Sequence, residues 1–169
     1  MNDDIYVCDA DALINLYRHF GREAVRALKR AMKIGKLKLP QGVVHEILRG
    51  TDRLKTFVRN NRQHIEVKFT KADLRLEDTL RDLEVKYGER IQVGGRAYPG
   101  FWHSRAGRKS ADAQVIAVAK VKGWIAVSDD TAIKQVCHVE NVPCIGWNEF
   151  ARRLELGVQQ LTIPGLLER

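Results

Sequence analysis

No apolar run in this sequence approaches the roughly 20 residues that a membrane-spanning helix requires, so no segment of it is marked for a bilayer. The N-terminus, MNDDIYVCDAD, opens on acids and lacks the basic flank and apolar stretch of a secretory signal. Cysteine is scarce: Cys8, Cys137 and Cys144 are odd in number and match no CxxC or Cys/His metal spacing. All three lie in apolar surroundings and read as reduced core thiols of a cytoplasmic protein. Proline is also scarce, at 4 residues, and neither low-complexity tracts nor internal repeats occur, which excludes fibrous and solenoid architectures. What is present suits one domain of 169 residues with a real core, 44% hydrophobic and 30% charged. A formal net charge of +8 points to a polyanionic partner, nucleic acid ahead of membrane.

Apolar runs alternate with helical patterns along the chain. IYVC (5–8) is a short β-type run, and residues 12–20 and 22–34 read as helices, the second with Val25, Leu28 and Met32 on one face and basic residues on the others. LKL (37–39) is a strand, after which Pro40 and Gly42 open a helix to about Leu48. Residues 53–61 are helical, IEVKF (65–69) alternates like a strand, and Thr70 caps a charged helix to Tyr87 with Asp73 as its capping-box acid. Residues 88–109, rich in glycine, arginine and aromatics, read as a long loop. The apolar helix 110–122, the strand 124–128, a helix from Thr131 to His138, the strand 142–146 and a helix at 148–156 complete the pattern. Pro143 cannot donate to a ladder, which puts the last strand at a sheet edge. The domain spans 1–156, and 157–169 forms a C-terminal tail.

Strands alternating with helices imply a mostly parallel sheet covered on both faces. In right-handed βαβ units, strand C-termini and helix N-termini share one edge, and ligands bind there. Asp9 ends the first strand, with Asp11 two residues on. Glu46 lies in the helix after the second strand, Asp112 opens the apolar helix, and Asp129 and Asp130 end the fourth strand. Separate segments therefore deliver carboxylates to one edge. Like charges at such range repel by about 4 kcal/mol at an effective dielectric near 20. An all-oxygen set calls for a hard cation, Mg²⁺ or Mn²⁺, to neutralise it.

Each acid also has a local reading. Asp9 and Asp11 suit capping of the first helix, Glu46 a solvated helix face, Asp112 the favourable end of a macrodipole, and Asp129 and Asp130 a turn that caps the next helix. One shared explanation is more economical than a separate one at every position. Asp112 in particular opens an apolar helix, where an unpaired carboxylate is costly.

The segments YVCDADALINLY (6–17), LPQGVVHEIL (39–48), SADAQVIAVAKVKG (110–123) and IAVSDD (125–130) resemble, in order and context, the PIN-domain ribonucleases, in particular the VapC-like toxins of toxin–antitoxin pairs. The resemblance implies a three-layer α/β/α sandwich with a five-stranded, mostly parallel sheet in the order 3-2-1-4-5. It also implies endoribonuclease activity dependent on Mg²⁺ or Mn²⁺, a protein antitoxin as partner, and homodimerisation. Carried over by position, Asp9, Glu46, Asp112 and Asp130 are the catalytic, metal-binding acids, with Asp11 and Asp129 as further candidates. Ser128 is a supporting residue where the family usually has Thr. Position 11 is commonly Ser or Asn in the family, and the 65 residues between Glu46 and Asp112 exceed those of a minimal toxin.

In the 88–109 segment, Arg96, Arg105, Arg108, Lys109 and Trp102 are candidate RNA contacts, because cations interleaved with aromatics suit single-stranded RNA. Phe101 and Trp102 fit equally well as anchors to the core. Two rival functions are open. DADAL after an apolar strand is similar to the start of haloacid-dehalogenase-type phosphatases, in which Asp9 would be nucleophile and Asp11 general acid. A PIN-like module that binds RNA or a partner without turnover is the other.

Overall fold

The computed structural model describes residues 3–107 and 110–157. Five strands form one parallel sheet: β1 (Tyr6–Cys8), β2 (Leu37–Pro40), β3 (Glu66–Val67), β6 (Ile125–Val127) and β7 (Cys144–Ile145), ordered β3-β2-β1-β6-β7. Counted within that sheet alone, the order is the expected 3-2-1-4-5. β1 sits in the middle, and all three of its residues are buried, as a strand covered on both faces requires. β7 is an edge strand, in keeping with Pro143 just before it.

Helices cover both faces. On one side α1 (Ala10–Phe20) packs on α2 (Arg22–Lys33) and α8 (Trp147–Arg153), α2 packs on α4 (Arg53–Ile65), and α4 packs on α3 (Gln41–Leu48). On the other, α6 (Asp112–Lys122) packs on α5 (Leu74–Tyr87) and α7 (Thr131–Val139). α6 is buried at Ala113 and at every position from Val115 to Ala119. Alanines and valines there let it lie close against both sheet and neighbours. Among the described residues no helix is long and apolar enough to cross a membrane. Cys8 and Cys137 are buried, Cys144 is half-buried, and all three are free thiols.

Several expected boundaries shift. The strands reduce to Glu66–Val67, Ile125–Val127 and Cys144–Ile145, each shorter than its apolar run, and α4 continues to Ile65. The residue that caps α5 is Asp73, whose carboxylate accepts from the Leu76 N–H at 3.2 Å; Thr70 lies outside the helix. On α2, small residues make the contact: Ala24, Ala27, Leu28 and Ala31 are buried, while Val25 and Met32 are only partly covered.

The larger correction concerns the expected loop at 88–109, whose described part, 88–107, is no long loop. Within it β4 (Arg90–Val93) and β5 (Arg96–Pro99) form an antiparallel hairpin, followed by a 3-10 turn at Phe101–His103. Gly94 and Gly95 both have positive φ, +57° and +81°, the backbone that a two-residue hairpin turn needs. Ile91 and Phe101 are buried and fix the hairpin to the body. At Gly100 a Cβ would meet the Tyr87 carbonyl oxygen at 2.2 Å, so only glycine allows the chain to pass there. The abundance of glycine and arginine conceals a hairpin signal, Gly-Gly between two alternating runs. The tail beyond Gly157 lies outside the described residues, as do Arg108 and Lys109.

Candidate active site

Asp9 follows directly on β1, at the C-terminal edge of the sheet, and is 6% exposed. It is also the N-cap of α1: its Oδ1 accepts from the Ala12 N–H at 2.7 Å. Its Oδ2 accepts from the Ser128 hydroxyl at 2.5 Å, and Ser128 Oγ in turn accepts from the Asp130 N–H at 3.0 Å. One fully buried hydroxyl thus ties the end of β1 to the end of β6. Capping and a place in the acid cluster are not alternatives at Asp9, since separate oxygens serve each.

Asp130 repeats the device. It caps α7 through Oδ1, which accepts from the Ile133 N–H at 3.0 Å. Asp112 is the first residue of α6, half-buried, with its N–H donated to Ser110 Oγ at 3.2 Å. Glu46 stands on the exposed side of α3, facing the others across the rim.

Electrostatics shows that these acids share a neighbourhood. Burial pushes the Asp112 carboxyl up to about 7, with further contributions from the charges of Asp130, Asp9 and Glu46, against a hydrogen bond with Ser110. Burial likewise raises Asp9 to about 6; hydrogen bonds from Ser128 and Ala12 oppose it, and the charges of Asp11 and Asp130 add to it. Glu46 is raised by burial and by Asp11, with Arg49 opposing. Asp9, Asp11, Glu46, Asp112 and Asp130 therefore form one group. Asp129 is engaged elsewhere: its Oδ2 accepts from the Trp147 N–H at 2.8 Å at the start of α8, and its Oδ1 lies 3.3 Å from Lys134 Nζ. Gly146 makes room for it, since a Cβ there would lie 2.4 Å from Asp129 Oδ1. Of the two aspartates ending β6, Asp130 is the one coupled to the cluster.

Two open clefts meet at Glu46. One, of about 550 Å³, is lined by Asp11, Asn15, Arg18, Arg105, Asp129 and Asp130 as well. The other, of about 500 Å³, also has Gln41, Gly42, His45, Arg49, Ala106 and Gln114 on its walls. Among the described residues of the hairpin segment, Arg105 is the cation that lines a cleft with the acids. Arg96 lines neither cleft. Trp102 lies over Gly88, where a Cβ would fall 2.5 Å from its ring, and packs against the core in the anchoring role.

Arg18, Asn15, Arg49, His45 and Gln114 escape the sequence reading. A signal for two of them exists: Asp11, Asn15 and Arg18 recur at i, i+4 and i+7, one helix face. Gln114 is the one polar residue inside the buried run of α6. Among the described residues, no group of three or more His, Cys, Asp and Glu side chains is drawn close enough to hold a metal ion. The acids face one another as charges around the clefts, not as a closed shell.

Comparison with curated proteins gives no match. Among solved structures, PAE2754 from Pyrobaculum aerophilum aligns at 17% identity and a TM-score of 0.48, covering 90% of this chain and 97% of that one. VapBC2 from Rickettsia felis, bound to a DNA fragment from the promoter, aligns at 12% identity and a TM-score of 0.49, covering 85% of this chain and 98% of that one. The sequence model of the PIN domain matches residues 6–139, from β1 to the end of α7 and with every one of the clustered acids inside it. On that match the chain belongs to the PIN domain family, whose members are typically nucleases.

Proposed function

We propose that the protein is an endoribonuclease in which Asp9, Glu46, Asp112 and Asp130 hold a divalent cation, Mg²⁺ or Mn²⁺, and cleave RNA phosphodiester bonds beside it. The observation that carries this reading is the electrostatic coupling of acids from separate elements at one sheet edge. The donor set fits such an ion in chemistry, being wholly carboxylate oxygen. It fits in charge as well, since Asp9 and Asp112 both carry raised pKa values that a cation would reverse. When bound, the ion supplies the positive charge that activates water for in-line attack on phosphorus and stabilises the departing oxygen.

The chain's own residues do the rest. Ser128 ties the Asp9 carboxylate to the Asp130 backbone N–H and so holds the end of β1 beside the start of α7. Arg18 and Arg105, which line the same cleft as Glu46, meet the flanking phosphates and orient the strand. Asp11, exposed at the rim, adds negative charge that strengthens cation binding. The phosphatase reading gives no role to Glu46 or Asp112, although the charges of Asp9 and Glu46 both act on Asp112.

The experiment is cleavage of tRNA, rRNA and mRNA by purified protein with Mn²⁺ or with EDTA, beside Asp112→Asn. Metal-dependent cutting that is lost in the variant supports the assignment. Binding without cutting under any condition would make the protein a PIN-like binding module instead. On the sequence resemblance to VapC-like toxins, the nuclease is further proposed to be the toxin of a toxin–antitoxin pair, a homodimer restrained by a protein antitoxin. Induced expression without that partner then halts growth, and Asp112→Asn does not.

A further inference from the structure

Helix α4 differs from its surroundings in the sign of its charge. It carries Arg53, Lys55, Arg59 and Arg62 and has no acid anywhere between Arg53 and Ile65, in a chain with 21 Asp and Glu. The next helix, α5, mixes Glu77, Asp78, Asp82 and Glu84 with its cations. Lys55, Arg59 and Arg62 recur at i, i+4 and i+7 and share one face. α4 runs directly into β3, the edge strand, and Lys68 follows.

Between helix and strand lies an open cavity of about 690 Å³ lined by Arg59, Asn60, Arg62, Gln63, Glu66 and Lys68. Its one carboxylate is already engaged. The Glu66 side chain is 3% exposed and takes Arg62 Nε on both oxygens, at 3.1 and 3.0 Å. Glu66 therefore fixes the Arg62 guanidinium in place, while Arg59 and Lys68 project exposed. From there the surface leads to the acids. Arg62 Nη2 lies 3.1 Å from His45 Nε2, and His45 lines the same cleft as Arg49 and Glu46.

We propose that the α4–β3 groove is a second binding site, for the phosphate backbone of single-stranded RNA whose scissile bond lies at the acid cluster. The proposal rests on the nuclease reading for the identity of that strand. Among the described residues no aromatic side chain lines the groove, so the contacts it offers are those of cations and amides to phosphate and sugar. Binding of that kind tolerates any sequence and weakens steeply with salt. An acidic protein segment would meet the same cations. Continuity with the cleft at Glu46 favours the cluster's own substrate.

The test uses the full chain in EDTA, so that nothing is cut, with labelled RNA of about 4 and about 20 nucleotides, within and beyond one site's length. Anisotropy is read across a salt series for wild type and for Arg59→Gln/Lys68→Gln, with Arg59→Glu/Lys68→Glu as a second variant. Arg62 is kept, because its loss would leave the buried Glu66 unpaired. The substituted side chains are exposed, and an unchanged melting temperature checks the fold. The expected result is about a ten-fold loss of affinity for the longer RNA, more in the charge-reversed variant, and none for the shorter. The salt slope becomes shallower by about 1.4, or about 0.7 for each lost phosphate contact. Unchanged binding of the longer RNA, or equal loss at both lengths, overturns the proposal. So does loss of a polyglutamate probe with RNA binding retained, which would assign the groove to an acidic protein. Failure of the nuclease reading looks different: the longer RNA binds through this groove, yet Mn²⁺ never brings cleavage.

Discussion

Gln114 of α6 accepts, through Oε1, the backbone N–H of Gly42 in α3 at 2.8 Å. The bond joins the two helices that carry Asp112 and Glu46, and it does so close to both: Gln114 lies two residues after Asp112, and Gly42 lies one turn before Glu46 on the same face. The approach is tight. A Cβ at Gly42 would stand 2.7 Å from Gln114 Oε1 and 2.9 Å from the Ala111 methyl. Gly42→Ala should therefore push α3 outward, costing about 1–3 kcal/mol of stability and moving Glu46 away from the other acids. Gln114→Leu should cost about 1–2 kcal/mol by leaving the Gly42 N–H unpaired. Both variants should bind Mn²⁺ more weakly, as measured by calorimetry. Wild-type metal affinity in a folded Gly42→Ala would deny this contact any role in placing Glu46.

Replacing Asp112 should separate stability from activity. The folded carboxyl titrates at about 7 and its ordinary value is 3.8, so at pH 8 the metal-free protein carries a half-buried charge that it holds less readily than the unfolded chain does. Asp112→Asn keeps the shape and removes that charge. Its melting temperature in EDTA should rise by a few degrees at pH 8, equivalent to about 1–2 kcal/mol, and by less at pH 5. RNA cleavage should vanish in the same preparation. A variant that melts below wild type at pH 8 would make Asp112 a structural residue of the α6 terminus.

Ser128 offers a complementary case. Its hydroxyl donates to Asp9 Oδ2, accepts from the Asp130 N–H, and is wholly buried. Ser128→Ala leaves an acceptor and a donor without that partner, at a cost of about 1–3 kcal/mol. Because the Ser128 bond also restrains the upward shift of Asp9, the loss should be larger at pH 8 than at pH 5. Melting curves at the two pH values check this, and an equal loss at both would contradict it.

These sites show what a single sequence makes legible. Asp9 and Asp130 were placed by one rule, that parallel strands end at a common edge, and the rule needs only the apolar runs before them. The same runs overstate strand length, since Val142 and Trp124 are covered by packing without joining the ladder. The orientation of Asp129 against Asp130 could not be read locally. It depends on the Trp147 N–H, 18 positions away, and on room beside Gly146. Arg105 is one of several cations that the sequence offers in 88–109, whereas Arg18 and Arg49 look like ordinary solvated helix residues until the clefts are seen. The basic groove at α4 and β3 escaped for a related reason: Arg59, Arg62 and Lys68 are close in sequence, but the cavity between helix and strand that they line is formed only by the fold.

The pH dependence of stability and of catalysis should have opposite signs. Asp9 and Asp112 have folded pKa values of about 6 and about 7, both above the ordinary 3.8, with Glu46 raised as well. Between about pH 4 and 7 the folded protein thus binds more protons at these groups than the unfolded chain, and stability falls as pH rises. Their contribution is complete below the unfolded values and is lost once pH passes the folded ones. In EDTA the melting temperature should decline from pH 5 to pH 8. Holding a cation requires the ionised carboxylates, so cleavage at limiting Mn²⁺ should rise over the same interval, with a midpoint near 7. Saturating metal should offset the alkaline loss, by about 2.7 kcal/mol at a hundredfold excess over Kd. Thermal scans at several pH values, with and without Mn²⁺, and initial rates on one RNA measure every part of this. A melting temperature that climbs with pH in EDTA would mean that the acids are not coupled in the folded protein, and the cluster would lose its electrostatic basis.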